Sequence, residues 1–372
     1  MDVLLRDGSD QLGGKRIGLV TNVTGRTRGG QSTIDALHQD ARWSLVALFS
    51  PEHGIRGEAA AGQSIDSSRD QQTGLPIFSL YGNTTRPTAA MLNGIDALMY
   101  DIQDVGARTY TYISTLLEVM RAAAEYAVKV LVLDRPDPIG GDQVEGNVLD
   151  ARFASFVGPA PIAMRYGMTI GELAQLFNAD INCDLQVIRM EGWQRSMWFD
   201  ATGLEWVNPS PNIRTLGAAA LYPGLVLVEG TNLSEGRGTA RPFEWVGAPW
   251  VDAGAWAAQL NAAGLKGVRF TSLDQTPDNT ASKYPNESCH GVAIEIADRP
   301  LLESTRVGVT ILASTGAKLE FQTATFDGLA GTDQVRKAIE TGISPTDIVN
   351  AWQPDLDKFR AARQQYLLYP VR

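Results

Sequence analysis

Glutamate, histidine and arginine fall within five positions of Ser50-Pro51-Glu52-His53-Gly54-Ile55-Arg56-Gly57, framed by Pro51, Gly54 and Gly57. The stretch follows an apolar run, Leu45 to Phe49, that reads as a buried strand. Ionisable groups at the carboxyl end of a parallel strand lie where open α/β sheets place their ligands. Glu52 is therefore the leading catalytic candidate, against the plainer reading of a polar loop with a surface ion pair. Carboxylates recur in the same setting: Asp101, Asp104, Asp134, Asp137, Glu229 and Glu235 lie at expected strand ends or in glycine-rich loops. Such a supply suits glycoside hydrolysis, in which one carboxylic acid protonates the leaving oxygen and a second carboxylate usually serves as base or nucleophile. The acid needs a raised pKa, from burial or a neighbouring negative charge, and Glu52 facing Asp104 would meet that need. Aromatics at Tyr110, Tyr112, Tyr166, Trp193, Trp206, Phe243, Trp245 and Trp250 suit a carbohydrate cleft, although core packing accounts for most such residues.

The elements that must position these groups follow from the hydrophobic pattern. Strands are expected at Lys15 to Thr21, Leu45 to Phe49, Pro76 to Tyr81, Ile95 to Tyr100 and Val128 to Leu133. Helices are expected at Ser32 to Gln39, at Pro87 to Asn93 opened by Pro87, and at about Thr111 to Tyr126. Alternation of strand and helix gives a parallel sheet with right-handed crossovers. The loops carrying Glu52 and His53, Asp101, Asp104 and Arg108, and Asp134 and Arg135 should then converge on one edge. Residues 58–75 read as a long surface loop. The second half begins near residue 150 and is less regular. Thr169 and Glu172 form a capping-box pattern, and Leu185 to Met190 and Leu225 to Val228 read as strands. Asn208-Pro209-Ser210-Pro211-Asn212 cannot be regular, because two prolines remove donors and fix φ. Cys289 to Ile296 reads as a strand, and helices are expected near 331–342 and 355–367. The fold class is α/β: a Rossmann-like domain with a mostly parallel sheet over 1–150, and a smaller α+β domain over 151–372.

Composition narrows the function classes. The 372 residues are 44% hydrophobic and 20% charged, as in a soluble globular protein. A formal charge of −10 argues against nucleic acid or an anionic membrane as partner. No apolar run is long enough to span a membrane. Cys183 and Cys289 are expected to be buried free thiols. Met1 to Asp7 has no features of a signal peptide, so the protein stays inside the cell or has lost a leader. The turn after the first strand lacks the spacing of a dinucleotide fingerprint, no Walker A sequence is present, and no Gly-x-Ser-x-Gly occurs. His53 could join nearby carboxylates at a zinc ion, but no His-x-x-x-His supports it. His38 is expected on a helix surface and His290 within a strand. No cofactor is expected.

Several motifs together carry a resemblance. They are Gly18-Leu19-Val20-Thr21-Asn22 with Thr24-Gly25, Ser50-Pro51-Glu52-His53-Gly54, and Tyr100-Asp101-Ile102-Gln103-Asp104-Val105-Gly106 with Arg108, Tyr110 and Tyr112. Leu133-Asp134-Arg135-Pro136, Asn208 to Asn212, Glu229-Gly230-Thr231-Asn232 and Ser234 to Thr239 complete the set. Over nearly the whole chain this resembles the exo-β-N-acetylmuramidases of the NamZ type. The resemblance implies a Rossmann-like domain and a C-terminal domain with the active site in the cleft between them. It also implies hydrolytic release of N-acetylmuramic acid from the non-reducing end of peptide-free peptidoglycan fragments, with Glu52 and His53 matching the family's Glu-His motif.

That sugar carries a lactyl carboxylate, which wants a bidentate cation. Arg56, Arg108, Arg135, Arg165 and Arg237 are the candidates, with Arg108 and Arg237 favoured. Glu52 is expected as general acid with His53 orienting it or the substrate. Asp104 or Glu235 would position water or stabilise the oxocarbenium-like transition state, and assistance by the 2-acetamido group is a further route. Asp101, Gln103, Tyr110, Tyr112, Asp134, Asn212 and Asn232 are the remaining expected substrate contacts. The rivals are a muramyl-sugar binding protein without turnover and a metal-assisted hydrolase using His53.

Overall fold

A computed structural model describes residues 1–8, 12–55 and 68–370. Among them the strands are β1 (Arg16–Thr21), β2 (Ser44–Ser50), β3 (Ser68–Arg69), β4 (Pro76–Ser79), β5 (Ala97–Asp101) and β6 (Lys129–Leu133). They continue with β7 (Glu145–Val148), β8 (Ala163–Arg165), β9 (Leu185–Ile188), β10 (Trp245–Ala248), β11 (Val268–Gln275) and β12 (Cys289–Ile296). A seven-stranded sheet runs β3-β4-β2-β1-β5-β6-β9. Every pairing in it is parallel except that of β3 with β4.

The unbroken apolar runs of β1, β5 and β6 exist because the sheet is buried on both faces. Successive residues point to opposite sides. Leu98, Tyr100, Val130 and Val132 join one core with the helix Tyr112–Tyr126, while Met99, Leu131 and Leu133 join another with the helix Thr33–Gln39. The Ser32 hydroxyl caps the second of these helices by accepting the Asp35 N–H. The expected capping box also forms: Thr169 and Glu172 exchange bonds at the head of the helix Ile170–Ile181.

Three expectations change. The helix expected from Pro87 is the single turn Ala89–Leu92, opened by Thr88. The strand expected at Leu225 to Val228 is the end of a helix, Leu216–Leu225, running into the 3₁₀ turn Val226–Gly230. That helix is capped by Thr215, and a short apolar run buried all round carries no period to separate helix from strand. Finally, β9 pairs in parallel with β6, so the central sheet draws on residues from both sides of position 150. Residues 56–67, most of the stretch read as a surface loop, lie outside the described residues, as does Arg56.

Beyond residue 220 the chain is a smaller α+β unit around the antiparallel sheet β10-β12-β11. The helix Leu216–Leu225 packs on Ser304–Ser314 at very close range, where a Cβ on Gly224 would lie 1.8 Å from the Ser304 carbonyl oxygen. Only paired glycines, Gly224 and Gly308, let the two backbones meet there. Both cysteines are buried and free, and His38 is exposed.

Candidate active site

β2 stops at Ser50, and the chain then turns sharply. His53 has φ 72° and Gly54 φ 81°, both in the left-handed region. A side chain there costs roughly 1–2 kcal/mol, and non-glycine residues so held cluster at functional sites. The turn buries Glu52, which is 8% exposed, and brings its Oε2 to the Thr111 hydroxyl, which donates to it over 2.6 Å. Thr111 precedes the helix Tyr112–Tyr126, so β2's loop and β5's loop meet at this carboxylate. The Tyr81 phenol, past β4, lies against the same group: burial and the Glu52 charge push it up to about 12.

Glu52 and His53 form one wall of a cavity of about 670 Å³. Tyr81, Tyr110 and Thr111 continue that wall from the central sheet. The opposite wall comes from later in the chain: Asn212 and Arg214, Tyr222, Glu229, Arg237 and Phe243. Aromatic rings join the two walls. Tyr110 meets Tyr222 edge to face at 5.6 Å, and Tyr222 meets Phe243 at 4.9 Å. Charge is arranged across the space. Arg237 Nη2 bonds Glu229 Oε1 at 2.7 Å, and its Nε lies 3.2 Å from Glu235 Oε1. Lys283 Nζ holds the other Glu235 oxygen at 3.1 Å. Burial pushes the Glu229 carboxyl upward against the pull of Arg237. Burial also works against the Arg237 charge, but Glu229 and Glu235 outweigh it and hold the guanidinium above its ordinary value.

The cavity collects Glu52, His53, Tyr110, Asn212 and Arg237 from the expected set. Glu235 sits behind Arg237, 2% exposed, and reaches the cavity only through it. The other expected residues fasten the loops to one another. Asp101 takes both Arg135 contacts, at 2.6 and 3.0 Å, and a short bond from the Thr33 hydroxyl. Gln103 donates to the carbonyls of Asp104 and Pro136, both at 2.8 Å. Asp104 accepts the Tyr166 O–H and the Gly106 N–H, and burial raises it to about 6.

Arg108 is the sharpest correction to the favoured pair. It is fully buried and its guanidinium donates to the carbonyls of Asn147, Ile162 and Ala330, so it binds backbone and cannot reach a ligand. Tyr112 is likewise sealed, with its hydroxyl on the Pro209 carbonyl. Asp134 accepts Gly171 N–H, Thr169 O–H and Tyr369 O–H at 2.8, 2.8 and 2.6 Å. Asn232 ties down the Lys318–Glu320 segment through its side chain. Arg165 pairs with Glu145 in the interior.

Three cavity residues were not given a role from the sequence: Glu229, Tyr222 and Arg214. Glu229 was among the loop carboxylates but yielded to Glu235, whose Arg237 and Lys283 contacts no local pattern announces. Tyr222 lies in the helix that was not foreseen, and Arg214 just precedes its Thr215 cap. Among the described residues, no group of three His, Cys, Asp or Glu side chains is placed to hold a metal ion.

Comparison with known proteins identifies the chain's relatives. Residues 17–217 match the family described as exo-β-N-acetylmuramidase NamZ, N-terminal, and 220–369 match its C-terminal counterpart. The peptidoglycan β-N-acetylmuramidase NamZ of Bacillus subtilis (strain 168) is 45% identical, over 99% of this chain and 90% of that protein. A crystal structure of a DUF1343 family protein from Bacteroides fragilis NCTC 9343 superposes with a TM-score of 0.93 at 37% identity, covering 99% of this chain and 98% of that one. A second DUF1343 protein from the same organism gives 0.80 at 34% identity, covering 99% and 97%. The chain belongs to the NamZ family of exo-β-N-acetylmuramidases.

Proposed function

We infer that the protein is an exo-acting glycoside hydrolase that releases N-acetylmuramic acid from the non-reducing end of peptide-free peptidoglycan fragments. The observation that carries this is full-length family membership combined with a buried carboxylate, Glu52, on the wall of a cavity lined by tyrosines and polar groups. Glu52 is the general acid: Thr111 and Tyr81 orient its carboxyl, and it gives its proton to the leaving oxygen. His53, on its strained turn, orients Glu52 or the sugar. Glu229 takes the place first given to Asp104 or Glu235. It faces the same space, and Arg237 holds it in place, so its carboxylate form can stabilise an oxocarbenium-like transition state or position water. Asp104 acts at one remove by holding the loop after β5.

We place the division of the chain between residues 217 and 220, because β9 belongs to the first sheet. No described helix is long and apolar enough to cross a membrane. The substrate is met wherever such wall fragments are held, inside the cell or outside it.

The test is release of a chromophore from a β-linked N-acetylmuramic acid glycoside by the wild type and by Glu52→Gln. Turnover by the wild type, lost in a folded Glu52→Gln variant, is expected. A folded wild type that binds the sugar without turning it over would make this a binding protein. Loss of activity on chelation, restored by a divalent metal, would instead favour a metal-assisted hydrolase.

A further inference from the structure

Among the described residues the cavity is lined by two arginines, and they differ in what they already bind. Arg237 is committed: Glu229 and Glu235 both contact it, and Lys283 shares the second of these. Two carboxylates and two cations leave that cluster with no net charge to offer an anion. Arg214 lines the same cavity and is exposed, and among the described residues it makes no ion pair. Its Nε donates to the Pro211 carbonyl at 2.7 Å and its Nη1 to the Thr239 carbonyl at 3.4 Å, which fixes the side chain without an ion-pair partner among the described residues. Asp278 feels that charge weakly and forms no ion pair with it; the N–H and O–H of Thr280 both donate to its Oδ1, at 2.8 and 2.6 Å. Pro209 and Pro211 on the approach to Arg214 stiffen the loop that presents it.

Resting on the muramidase reading above, we propose that Arg214 receives the lactyl carboxylate of the sugar and is the residue that selects muramic acid over glucosamine. A held guanidinium with free N–H groups is the receptor a carboxylate takes in a fork. The glucosamine sugar, which lacks the lactyl group, leaves this arginine solvated and gains nothing from it. Because the contact is made equally in ground and transition states, its loss raises KM and spares kcat.

The experiment compares wild type, Arg214→Gln and Arg214→Lys on three chromogenic β-glycosides: N-acetylmuramic acid, its lactyl methyl ester, and N-acetylglucosamine. For the wild type, KM for the acid should lie well below that for the ester. Arg214→Gln should raise KM for the acid roughly ten- to hundredfold, the worth of a hydrogen-bonded charge, and change the ester and the glucosamine substrate less than twofold. Arg214→Lys should recover part of the loss. A wild-type preference for the acid that survives in Arg214→Gln overturns the proposal while leaving the muramidase reading intact. A wild type that turns over none of the three overturns that reading, and this one with it.

Discussion

Glu52 and Asp101 leave the same sheet edge from β2 and β5, the two strands that flank β1, and meet opposite fates. Asp101 is the last residue of its strand, with no exposed surface, gripped by Arg135 and Thr33. Glu52 lies two residues past the end of its strand, on a turn that swings it to the cavity wall. A carboxylate at the same edge is structural at the end of one strand and lines the cavity after the next. Strand position brings carboxylates together, and the turn that follows decides which of them a ligand can meet.

The comparison breaks most visibly under paired isosteric substitutions. Glu52→Gln should lower kcat by at least about a thousandfold, within the span seen for positioned general acids, with the unfolding midpoint nearly unchanged. Asp101→Asn should do the reverse. It leaves the Arg135 guanidinium, 12% exposed, without its anion, and unpairing a buried ion pair costs about 3 kcal/mol or more. Denaturant unfolding should register that loss, while activity per folded molecule stays within a few fold. A thousandfold loss of turnover in a stable Asp101→Asn protein would place Asp101 in the chemistry after all.

A third carboxylate sharpens the contrast through pH. Asp137 is buried after β6; burial, with the nearby Asp104 charge, pushes it up to about 7, against the pull of Arg165. Its ordinary value is 3.8, so the folded protein binds a proton here that the unfolded chain has lost. The stabilisation from this proton is therefore greatest below about pH 4 and is lost as pH rises toward 7. In Asp137→Asn one oxygen can still accept the Ile139 N–H, and the amide replaces an oxygen with no partner. Relative to wild type, the variant should become more stable as pH rises from 4 to 8, by roughly 2–4 kcal/mol across the range. A difference independent of pH would mean that Asp137 is ionised throughout.

How much of this was legible follows from which forces act locally. β1, β5 and β6 were readable because a sheet buried on both faces leaves continuous apolar runs. The Ser32 and Thr169 caps were readable because a cap is written within four residues. Parallel topology brings the strand ends to one edge, but the single crevice expected of the three loops does not form: Glu52 and the loop after β5 line one cavity, and Asp134 and Arg135 line another. What stayed hidden depends on partners far along the chain. Arg108 bonds a carbonyl 222 residues away, and arginines are so seldom sealed that no sequence rule would bury one. The Glu235 contact with Lys283 spans 48 positions, which is why Glu229 and not Glu235 faces the cavity. The helix Leu216–Leu225 carries Pro223 and is apolar on nearly every side, so its pattern had no face to show, and Tyr222 was lost with it.

The smallest effect tests the turn itself. His53→Ala and His53→Gly both delete the imidazole and whatever it holds, so both should lose activity alike. They differ in the backbone. At φ 72° a Cβ crowds the following carbonyl, and glycine relieves that contact. Glycine also frees the unfolded chain, which offsets part of the gain. His53→Gly should therefore be more stable than His53→Ala by about 1 kcal/mol, readable as a shift of the denaturant midpoint at constant slope. Equal stabilities would mean that the turn relaxes when the imidazole is gone, and that His53 itself holds Glu52's loop in its strained form. The expected difference would mean the strain belongs to the backbone path between β2 and the cavity, kept because it is the path that delivers Glu52.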